Sequence, residues 1–353
     1  MKYQQIVNLV YHQPWAILPT MYTVMLDLIA FRASGGTLTE EEIQARIGAV
    51  THPQQARNGA VAVLPLHGVM AQRMNMMSAM SGGTSTEQFG KAFTAAVADP
   101  AIGGIVIDID SPGGSVFGVQ ELWQTVMNAR GQKPVIAMAN SMAASAAYWI
   151  ATAADEIVVT PGGQMGSIGV LTAHSDMSAQ LEMVGEKVTL ISAGKKKVDG
   201  NPIEPLSAAA RDDLQASVDT YYSSFVQSVA KGRNVAPGAV RSGFGQGGMV
   251  GAAEAVAQGM ADRIGTLEVA IARAGGRRGF QAEYSGEPVI TSCQVTSELV
   301  DATDWWVVQT EKCSENSCLF SAIRDGLCGH HAEPDEDTET RRRRLALQGL
   351  TRP

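Results

Sequence analysis

Short apolar strands alternate with helices between residues 60 and 160, and this alternation limits the fold more than any other feature of the chain. The predicted elements are, in order, strand 60–66, helix 86–98, strand 104–109, helix 117–129, strand 134–139, helix 146–154 and strand 156–160. Strands that are apolar throughout, and that are separated by helices, are typical of a parallel sheet buried on both faces. The sequence therefore predicts an α/β fold.

The segments on either side of this core are less regular. Residues 15–31 are apolar but contain Pro19 and Asp27, so they predict an amphipathic helix that packs on the domain or on a neighbouring subunit. A secretion signal or a membrane span needs a cleaner apolar stretch than this one, so we expect a cytoplasmic protein. The other predicted elements are a helix start at 37–44, a linker at 51–59, a helix and a strand within 171–190, a long helix at about 207–231, and small helices within 251–274.

The stretch Asn140–Trp149 places Ser145 between a predicted strand and a predicted helix. At such a junction the unpaired N–H groups and the positive dipole end of the helix lie beside the serine hydroxyl, where they can stabilise an oxyanion. The small residues around Ser145 let a substrate carbonyl approach the backbone closely. Alanine-rich stretches also form tight helix contacts, so this stretch alone leaves both interpretations open.

A Pro-Gly-Gly turn follows the predicted strand 104–109, and its glycines are Gly113 and Gly114. Backbone N–H groups in such a turn are exposed because no Cβ stands in the way. The turn is a candidate for the second half of an oxyanion hole, and an ordinary connection between strand and helix is the alternative. Two further segments carry candidate polar groups, namely residues 166–170 (Gly-Ser-Ile-Gly-Val) and the loop 192–202, which contains three lysines.

Together these four segments resemble the signal peptide peptidase A family of serine peptidases, and more closely its phage branch, the capsid-assembly (prohead) proteases. The resemblance covers roughly residues 59–274, and the four motifs occur in the family's order. It implies a Clp protease/crotonase-like fold, a spiral of ββα units with flanking helices. It also implies three parts of the chain, namely an N-terminal helical segment and linker (1–58), a Ser-Lys peptidase domain (59–275) and a charged tail (276–353).

The resemblance implies a role for each of six residues. They are the nucleophile Ser145, the general base Lys197, Ser167 as the group that holds the lysine amine, and an oxyanion hole formed by Gly113, Gly114 and the N–H of Ala146. Many members have Ser-Gly-Gly where this chain has Ser-Ala-Ala. Alanine keeps the N–H group and adds only a methyl, so the departure concerns the shape of the pocket.

The identity of the base has an alternative on the same fold. The family's lysine stands three residues after a glycine and five before a proline, and Gly194 and Pro202 therefore select Lys197 among the three adjacent lysines. Clp protease uses a histidine instead, and His174 is the candidate for that mechanism. The Ser-Lys interpretation is favoured because it accounts for both Ser167 and the lysine loop.

The reaction that follows is acyl transfer to Ser145 and hydrolysis by water, with no metal or organic cofactor. The expected substrates are scaffold, portal or capsid proteins, or the protease itself, during phage head assembly, and a homo-oligomer is expected. The alternative within the family is a peptidase that degrades signal peptides or other peptides. A net charge of −8 argues against nucleic acid as the main partner.

Two interpretations from other classes remain open. A crotonase-like enzyme would bind an acyl thioester and polarise it, but it would need no serine nucleophile. A catalytically inactive capsid-assembly or scaffold protein could keep the fold without turnover. The set of Ser145, Ser167 and Lys197 argues against both, and labelling of the serine distinguishes them.

Two further regions carry notable side chains. The methionine-rich loop 70–84 predicts an adaptable apolar surface, either lining a substrate groove or forming a loop or subunit contact. The tail holds all four cysteines, beside His330 and His331, in a spacing that lacks the paired knuckles of a zinc site, so we expect free thiols. An acidic cluster and four arginines (341–344) predict a solvated, disordered end.

Overall fold

The structure is a computed structural model that describes residues 11, 13–33, 60–73, 83–276, 297–298 and 306–308. All of these residues belong to one compact unit, which comprises Met1–Ser285 and Thr296–Glu311. The predicted helix start at 37–44, the linker at 51–59, most of the methionine-rich loop and all four cysteines lie outside the described residues.

Strands and helices alternate along most of the described chain. The strands are β1 (Trp15–Ile17), β2 (Ala60–His67), β3 (Met70–Ala71), β4 (Thr84–Ser85), β5 (Ile102–Ser111), β6 (Gly113–Ser115), β7 (Val135–Ala144), β8 (Glu156–Val159), β9 (Gln164–Gly166), β10 (Met249–Gly251), β11 (Arg263–Ile264), β12 (Ser297–Glu298) and β13 (Trp306–Val308). The helices are α1 (Pro19–Ala33), α2 (Thr86–Ala98), α3 (Val119–Asn128), α4 (Ala146–Ala151), α5 (Ser178–Met183), α6 (Ala208–Arg233), α7 (Pro237–Ser242), α8 (Ala252–Ala257) and α9 (Leu267–Ala274).

Two sheets organise these elements. In the larger sheet the order is β10-β9-β7-β5-β2-β13-β12, with β8 beside β7 and β11 beside β8. Its centre is parallel, since β2 pairs with β5, β5 with β7, and β7 with both β8 and β9 in that sense. The smaller sheet has the order β1-β6-β3-β4. The α/β class predicted from the sequence, with its parallel sheet, is confirmed.

Apolar side chains cover the central sheet on both faces, because successive residues of a strand point to opposite sides. In β2, Ala62, Leu64 and Leu66 belong to a large cluster that also contains residues of α2, α3, α4 and α6. Val61 and Val63 of the same strand pack on the other side with residues of α9. The central strands therefore read as continuous apolar runs in the sequence.

The long helix α6 covers α4, and it begins next to Ser207, where the sequence predicts the start of a long helix. The Ser207 hydroxyl accepts a hydrogen bond from the N–H of Ala210 (3.1 Å). In its second half Phe225 is fully buried and stacks on Trp149 of α4, with ring centroids 4.5 Å apart and planes inclined by 7°. This stacked pair joins the helix that follows Ser145 to the longest helix of the described chain.

The structure corrects the sequence predictions at two places. The N-terminal segment is not one helix, because Trp15–Ile17 forms β1 and the helix begins only at Pro19, a residue whose fixed φ and missing N–H suit a first helical turn. The strand expected within 171–190 is also wrong. That region holds the short helix α5 and then residues 184–190, which are exposed and lie outside any strand.

The same exposed region carries five large apolar side chains on the surface, namely Met183, Val184, Val188, Leu190 and Ile191. Residues 184–190 belong to no strand, so their β-prone sequence is not paired with a sheet edge within the described unit. None of the helices among the described residues is long and apolar enough to span a membrane.

Removal of either ring of the stacked pair tests how strongly α6 holds α4. We expect Trp149→Ala and Phe225→Ala each to lower the free energy of unfolding by about 3–5 kcal/mol, because each leaves a cavity in a fully buried cluster. Phe117 is a matched control, since this aromatic residue is 41% exposed. Phe117→Ala should cost less than about 1.5 kcal/mol, and urea denaturation measures all three; equal losses in the three variants would contradict the expectation.

Candidate active site

Ser145 sits between β7 and α4 in a backbone conformation that few residues adopt. Its φ is 52° and its ψ is −116°, and it occupies the N-cap position of α4. The Ser145 N–H donates to the carbonyl of Gly166 (2.7 Å), and its hydroxyl donates to the carbonyl of Gly169 (3.3 Å). Such a conformation costs about 1–3 kcal/mol, so the surrounding contacts must impose it.

The helix that follows Ser145 is buried along its whole length. Besides the stacking of Trp149, the Tyr148 hydroxyl donates to the carbonyl of Met260 (3.0 Å), and burial raises the pKa of that phenol well above its usual range. The first N–H groups of a helix have no partner within it, and that of Ala146 is the first in α4. The site therefore presents a serine hydroxyl beside helix-terminal N–H groups.

The Gly113–Gly114 turn, the predicted candidate for part of an oxyanion hole, approaches this helix terminus. A Cβ on Gly113 would fall 3.1 Å from the backbone nitrogen of Ala146, and a Cβ on Gly114 would fall 2.0 Å from the carbonyl oxygen of Met70. Gly113 also has a φ of +98°, which other residues rarely adopt. Its N–H donates to the Ser111 hydroxyl (3.2 Å).

The β1 strand lies against the same turn. It pairs antiparallel with β6, with Ala16 opposite Gly114, and flanking bonds run from Leu18 N–H to the Pro112 carbonyl (2.9 Å) and from Val116 N–H to the Pro14 carbonyl (3.3 Å). In an antiparallel ladder, hydrogen-bonded residue pairs alternate with pairs that share no hydrogen bond. Ala16 and Gly114 lie midway between the two bonded pairs Leu18–Pro112 and Pro14–Val116, so they are also a hydrogen-bonded pair.

The third motif adjoins Ser145 through backbone contacts. Gly166 has a φ of +123° and accepts the Ser145 N–H, while the Ser167 N–H donates to the carbonyl of Gly248 (2.7 Å). Ser167 is 5% exposed and has a φ of 52°, the same value as Ser145. Within the described part of the chain, no hydrogen bond joins the Ser167 hydroxyl to Ser145 or to a lysine.

The lysine loop is not joined to Ser145 in this conformation. Lys197 is exposed, and its N–H donates to the carbonyl of Gly194 (3.0 Å), which closes a turn. Lys196 pairs with Asp213 on α6 (2.6 Å), and this hydrogen bond raises the pKa of the Lys196 amine. The alternative base, His174, lies 3.0 Å from the carbonyl of Asn201 through Nε2. The structure thus brings together Ser145, Ala146, Ser167 and the glycine turn, while Lys197 is exposed and, in the part of the chain that the structure describes, no hydrogen bond joins it to Ser145 or Ser167.

A charged cluster at the ends of β2 and β5 was not expected from the sequence. His67 Nε2 lies 3.2 Å from Asp108 Oδ2, and the Ser141 hydroxyl donates to Asp110 Oδ1. Burial lowers the pKa of His67, but the hydrogen bond and negative charge of Asp108 outweigh it, so the pKa lies above 6.5. The sequence shows only two aspartates, Asp108 and Asp110, near the end of a predicted strand. That His67 lies beside them follows from the register in which β2 pairs with β5.

The groups that meet at Ser145 are typical of acyl transfer. A hydroxyl on a sharp strand-to-helix turn, with backbone N–H groups on two sides, can attack a carbonyl and stabilise the oxyanion that forms. Among the described residues, no group of three or more His, Cys, Asp or Glu side chains lies close enough together to hold a metal ion.

Comparison with known proteins shows which proteins this region is similar to. Residues 128–280 match the model of Peptidase family S49. Capsid assembly protease C of Escherichia phage lambda is 38% identical over 204 residues, which cover 56% of this chain and 46% of the relative. A putative signal peptide peptidase SppA of Enterococcus faecium is 30% identical over 174 residues, which cover 49% of this chain and 50% of the relative. The chain thus spans about half the length of these curated relatives.

The resemblance to the signal peptide peptidase A family and to phage capsid-assembly proteases, stated from the sequence motifs, is confirmed. Among solved structures, a variant of ClpP1 from Listeria monocytogenes is similar with a TM-score of 0.37 and 13% identity, covering 59% of this chain and 94% of that one.

Replacement of His67 tests the charged cluster beside the site. Because the folded-state pKa of His67 is raised, its pairing with Asp108 stabilises the fold below about pH 6.5, and this stability is lost as pH rises through the raised pKa. We therefore expect His67→Gln to be less stable than wild type at about pH 5.5, with a difference that shrinks towards about pH 8.5. Urea midpoints measured across this range check the expectation.

Asp108→Asn and the double variant supply the control for this pair. In a double-mutant cycle the coupling between the two positions should fall as pH rises. A coupling that is constant or that increases with pH would contradict the assignment.

Proposed function

We propose that this protein is a serine endopeptidase in which Ser145 is the nucleophile. One observation carries the proposal most directly, namely the convergence of the Ser145 turn, the α4 terminus and the glycine turn at one point. The match to Peptidase family S49, which includes Ser145, supports it. The proposed reaction is attack by the hydroxyl on a peptide carbonyl, release of the amine, and hydrolysis of the acyl-enzyme by water.

The proposed oxyanion hole consists of the N–H groups of Gly114 and Ala146. The Gly113 N–H is less suited, because it donates to a hydroxyl of its own turn, whereas the Gly114 N–H faces β1, where Ala16 pairs with it. The proposed role of Gly113 is to let the chain pass close to Ala146. Loss of a single oxyanion donor typically lowers turnover by about 10²–10³-fold. These donors belong to the backbone, so the hole depends on the conformation of the turn and not on any side chain.

Lys197 is the proposed general base, with Ser167 as the group that holds its amine. The spacing from Gly194 and Pro202 supports the choice. In the described conformation Lys197 is exposed, so the proposed mechanism requires loop 192–202 to move towards Ser145 before catalysis. Lys195 is exposed as well and Lys196 is paired with Asp213, so it is the spacing, and not exposure, that selects Lys197 over Lys195.

The proposed substrates are scaffold, portal or capsid proteins of a phage or prophage head, and the protein acts as a homo-oligomer. The similarity to Capsid assembly protease C of phage lambda supports this choice. The similarity to a putative signal peptide peptidase supports a second candidate, namely the degradation of signal peptides or other short peptides.

A serine-directed fluorophosphonate tests the nucleophile. We expect the wild type to be labelled and Ser145→Ala to remain unlabelled, because only a hydroxyl next to oxyanion donors reacts at a useful rate. Ser141→Ala is the matched control, since Ser141 lies in the same stretch but donates to Asp110, and it should keep the label. Absence of label in the wild type would favour an inactive assembly protein.

A lysine series tests the base. We expect Lys197→Ala and Lys197→Met to abolish peptide hydrolysis while the protein stays folded, because no other lysine of the loop takes its place. Lys195→Ala and Lys196→Ala should each cost less than about tenfold in kcat/KM, or about 1.4 kcal/mol in barrier. Full activity in Lys197→Ala together with loss in His174→Ala would assign the base to the histidine instead.

Co-expression with head proteins tests the substrate. We expect scaffold, portal or capsid chains to be shortened by the wild type and to keep their full length with Ser145→Ala, as measured by intact mass. Unchanged lengths in both cases, with hydrolysis of signal peptides by the wild type alone, would support the second candidate.

A further inference from the structure

The β1 strand lies in a slot between two backbone edges near Ser145. It pairs with β6 on one side. On the other side the Trp15 N–H donates to the Leu171 carbonyl (2.8 Å), and the Leu171 N–H donates to the Trp15 carbonyl (2.9 Å). If β1 left, these two edges would expose unpaired backbone groups on both sides of a gap one strand wide. Such edges bind extended peptides by strand addition.

The slot includes the groups proposed as oxyanion donors. Ala16 is paired with Gly114, and a Cβ on Gly113 would fall 2.2 Å from the Ala16 carbonyl oxygen and 3.1 Å from the Ala146 nitrogen. The carbonyl of Ala16 therefore occupies the neighbourhood in which the proposed reaction needs the carbonyl of a substrate. A substrate and β1 cannot be there at the same time.

The side chains of β1 show what the slot accepts. Trp15 and Ile17 are buried in a cluster with Tyr22, Met25 and Val69. Ala16 points the other way, into the main core, and is fully buried. The slot thus holds a large apolar residue, a small residue and a second large apolar residue in succession.

We infer that β1 is an intramolecular occupant of the peptide-binding slot, and that it keeps the peptidase inactive until it is displaced. The inference rests on the proposed function of Ser145. The displacing ligand is an extended peptide with the same large–small–large apolar pattern. Because β1 is tethered, its effective concentration is of the order of millimolar, and a free peptide competes only near that concentration.

The arrangement around Ser145 is that of a resting state. The Ser145 hydroxyl donates to Gly169, and Lys197 lies on the surface, so neither group is set for attack on the Ala16 carbonyl. The conformation in which β1 fills the slot is therefore also the one in which Lys197 is exposed. Displacement of β1 is the event that admits a substrate.

Ala16→Trp tests the inference by loosening β1 without changing β6, Leu171 or Ser145. The larger side chain has no room at a position that is 0% exposed. Val24→Trp is the matched control, because it introduces the same side chain on α1 at a position that is 54% exposed. We expect fluorophosphonate to label Ser145 at least tenfold faster in Ala16→Trp than in wild type, and Val24→Trp to match wild type.

Peptide binding gives a second readout that does not depend on activity. The probe is a fluorescein-labelled peptide with the sequence of Gln13–Leu18, and anisotropy measures its binding. We expect Ala16→Trp to bind it at least tenfold more tightly than wild type or Val24→Trp, and a peptide with Trp in place of the alanine to bind at least tenfold more weakly. Circular dichroism confirms folding, and Trp15→Ala replaces Ala16→Trp if the latter does not fold.

The two readouts separate the inference from the function on which it rests. Equal labelling in all variants, with no gain in peptide binding, would overturn the role of β1 and leave the peptidase intact. A gain in peptide binding without any labelling would support the occupied slot and overturn the proposed nucleophile. No labelling in any variant, together with no gain in peptide binding, would overturn both the role of β1 and the proposed nucleophile.

Discussion

The site depends on one backbone turn, in which a buried strand becomes a helix within a single residue. A positive φ at Ser145 is unfavourable for a residue with a Cβ, and it persists because the N–H is held by the Gly166 carbonyl while α4 is locked by Trp149 and Tyr148. The same turn directs the terminus of α4 at the glycine turn after β5. The backbone turn at Ser145 therefore determines both where the Ser145 hydroxyl lies and where the N–H groups at the start of α4 point.

Most of the site is made of backbone, and this explains why glycines surround it. Side chains at Gly113, Gly114 or Gly166 would fall 2.0–2.7 Å from a carbonyl oxygen of a neighbouring segment. The chains approach one another so closely that hydrogen bonds between peptide groups replace side-chain contacts. Under the proposed function, a ligand in the slot between β6 and Leu171 is bound mainly through its own peptide groups. The site would therefore favour a ligand with an extended backbone.

The sequence predicted the parts of the molecule that follow from local pattern. Continuous apolar runs indicate the parallel strands, and the change from an apolar run to helix formers indicates the strand-to-helix junction at Ser145. The sequence predicts a helix at Trp15–Ile17 because three apolar residues carry no period of their own, and their strand partners lie about a hundred residues or more further along the chain. The sequence also predicts a strand within residues 171–190, yet residues 184–190 pair with no sheet edge in this unit. The His67–Asp108 contact depends on register, which a single sequence does not encode locally.

The burial of α4 has a consequence for how such a site can be controlled. All six residues of the helix are buried. Trp149 stacks on Phe225 of α6, and the Tyr148 hydroxyl donates to the Met260 carbonyl. Its amides should exchange with solvent only when the whole unit opens, so Ser145 has no low-energy local motion of its own. Under the proposed function, the timing of activity is therefore set by the segments that cover Ser145, such as β1, while the serine keeps a fixed position.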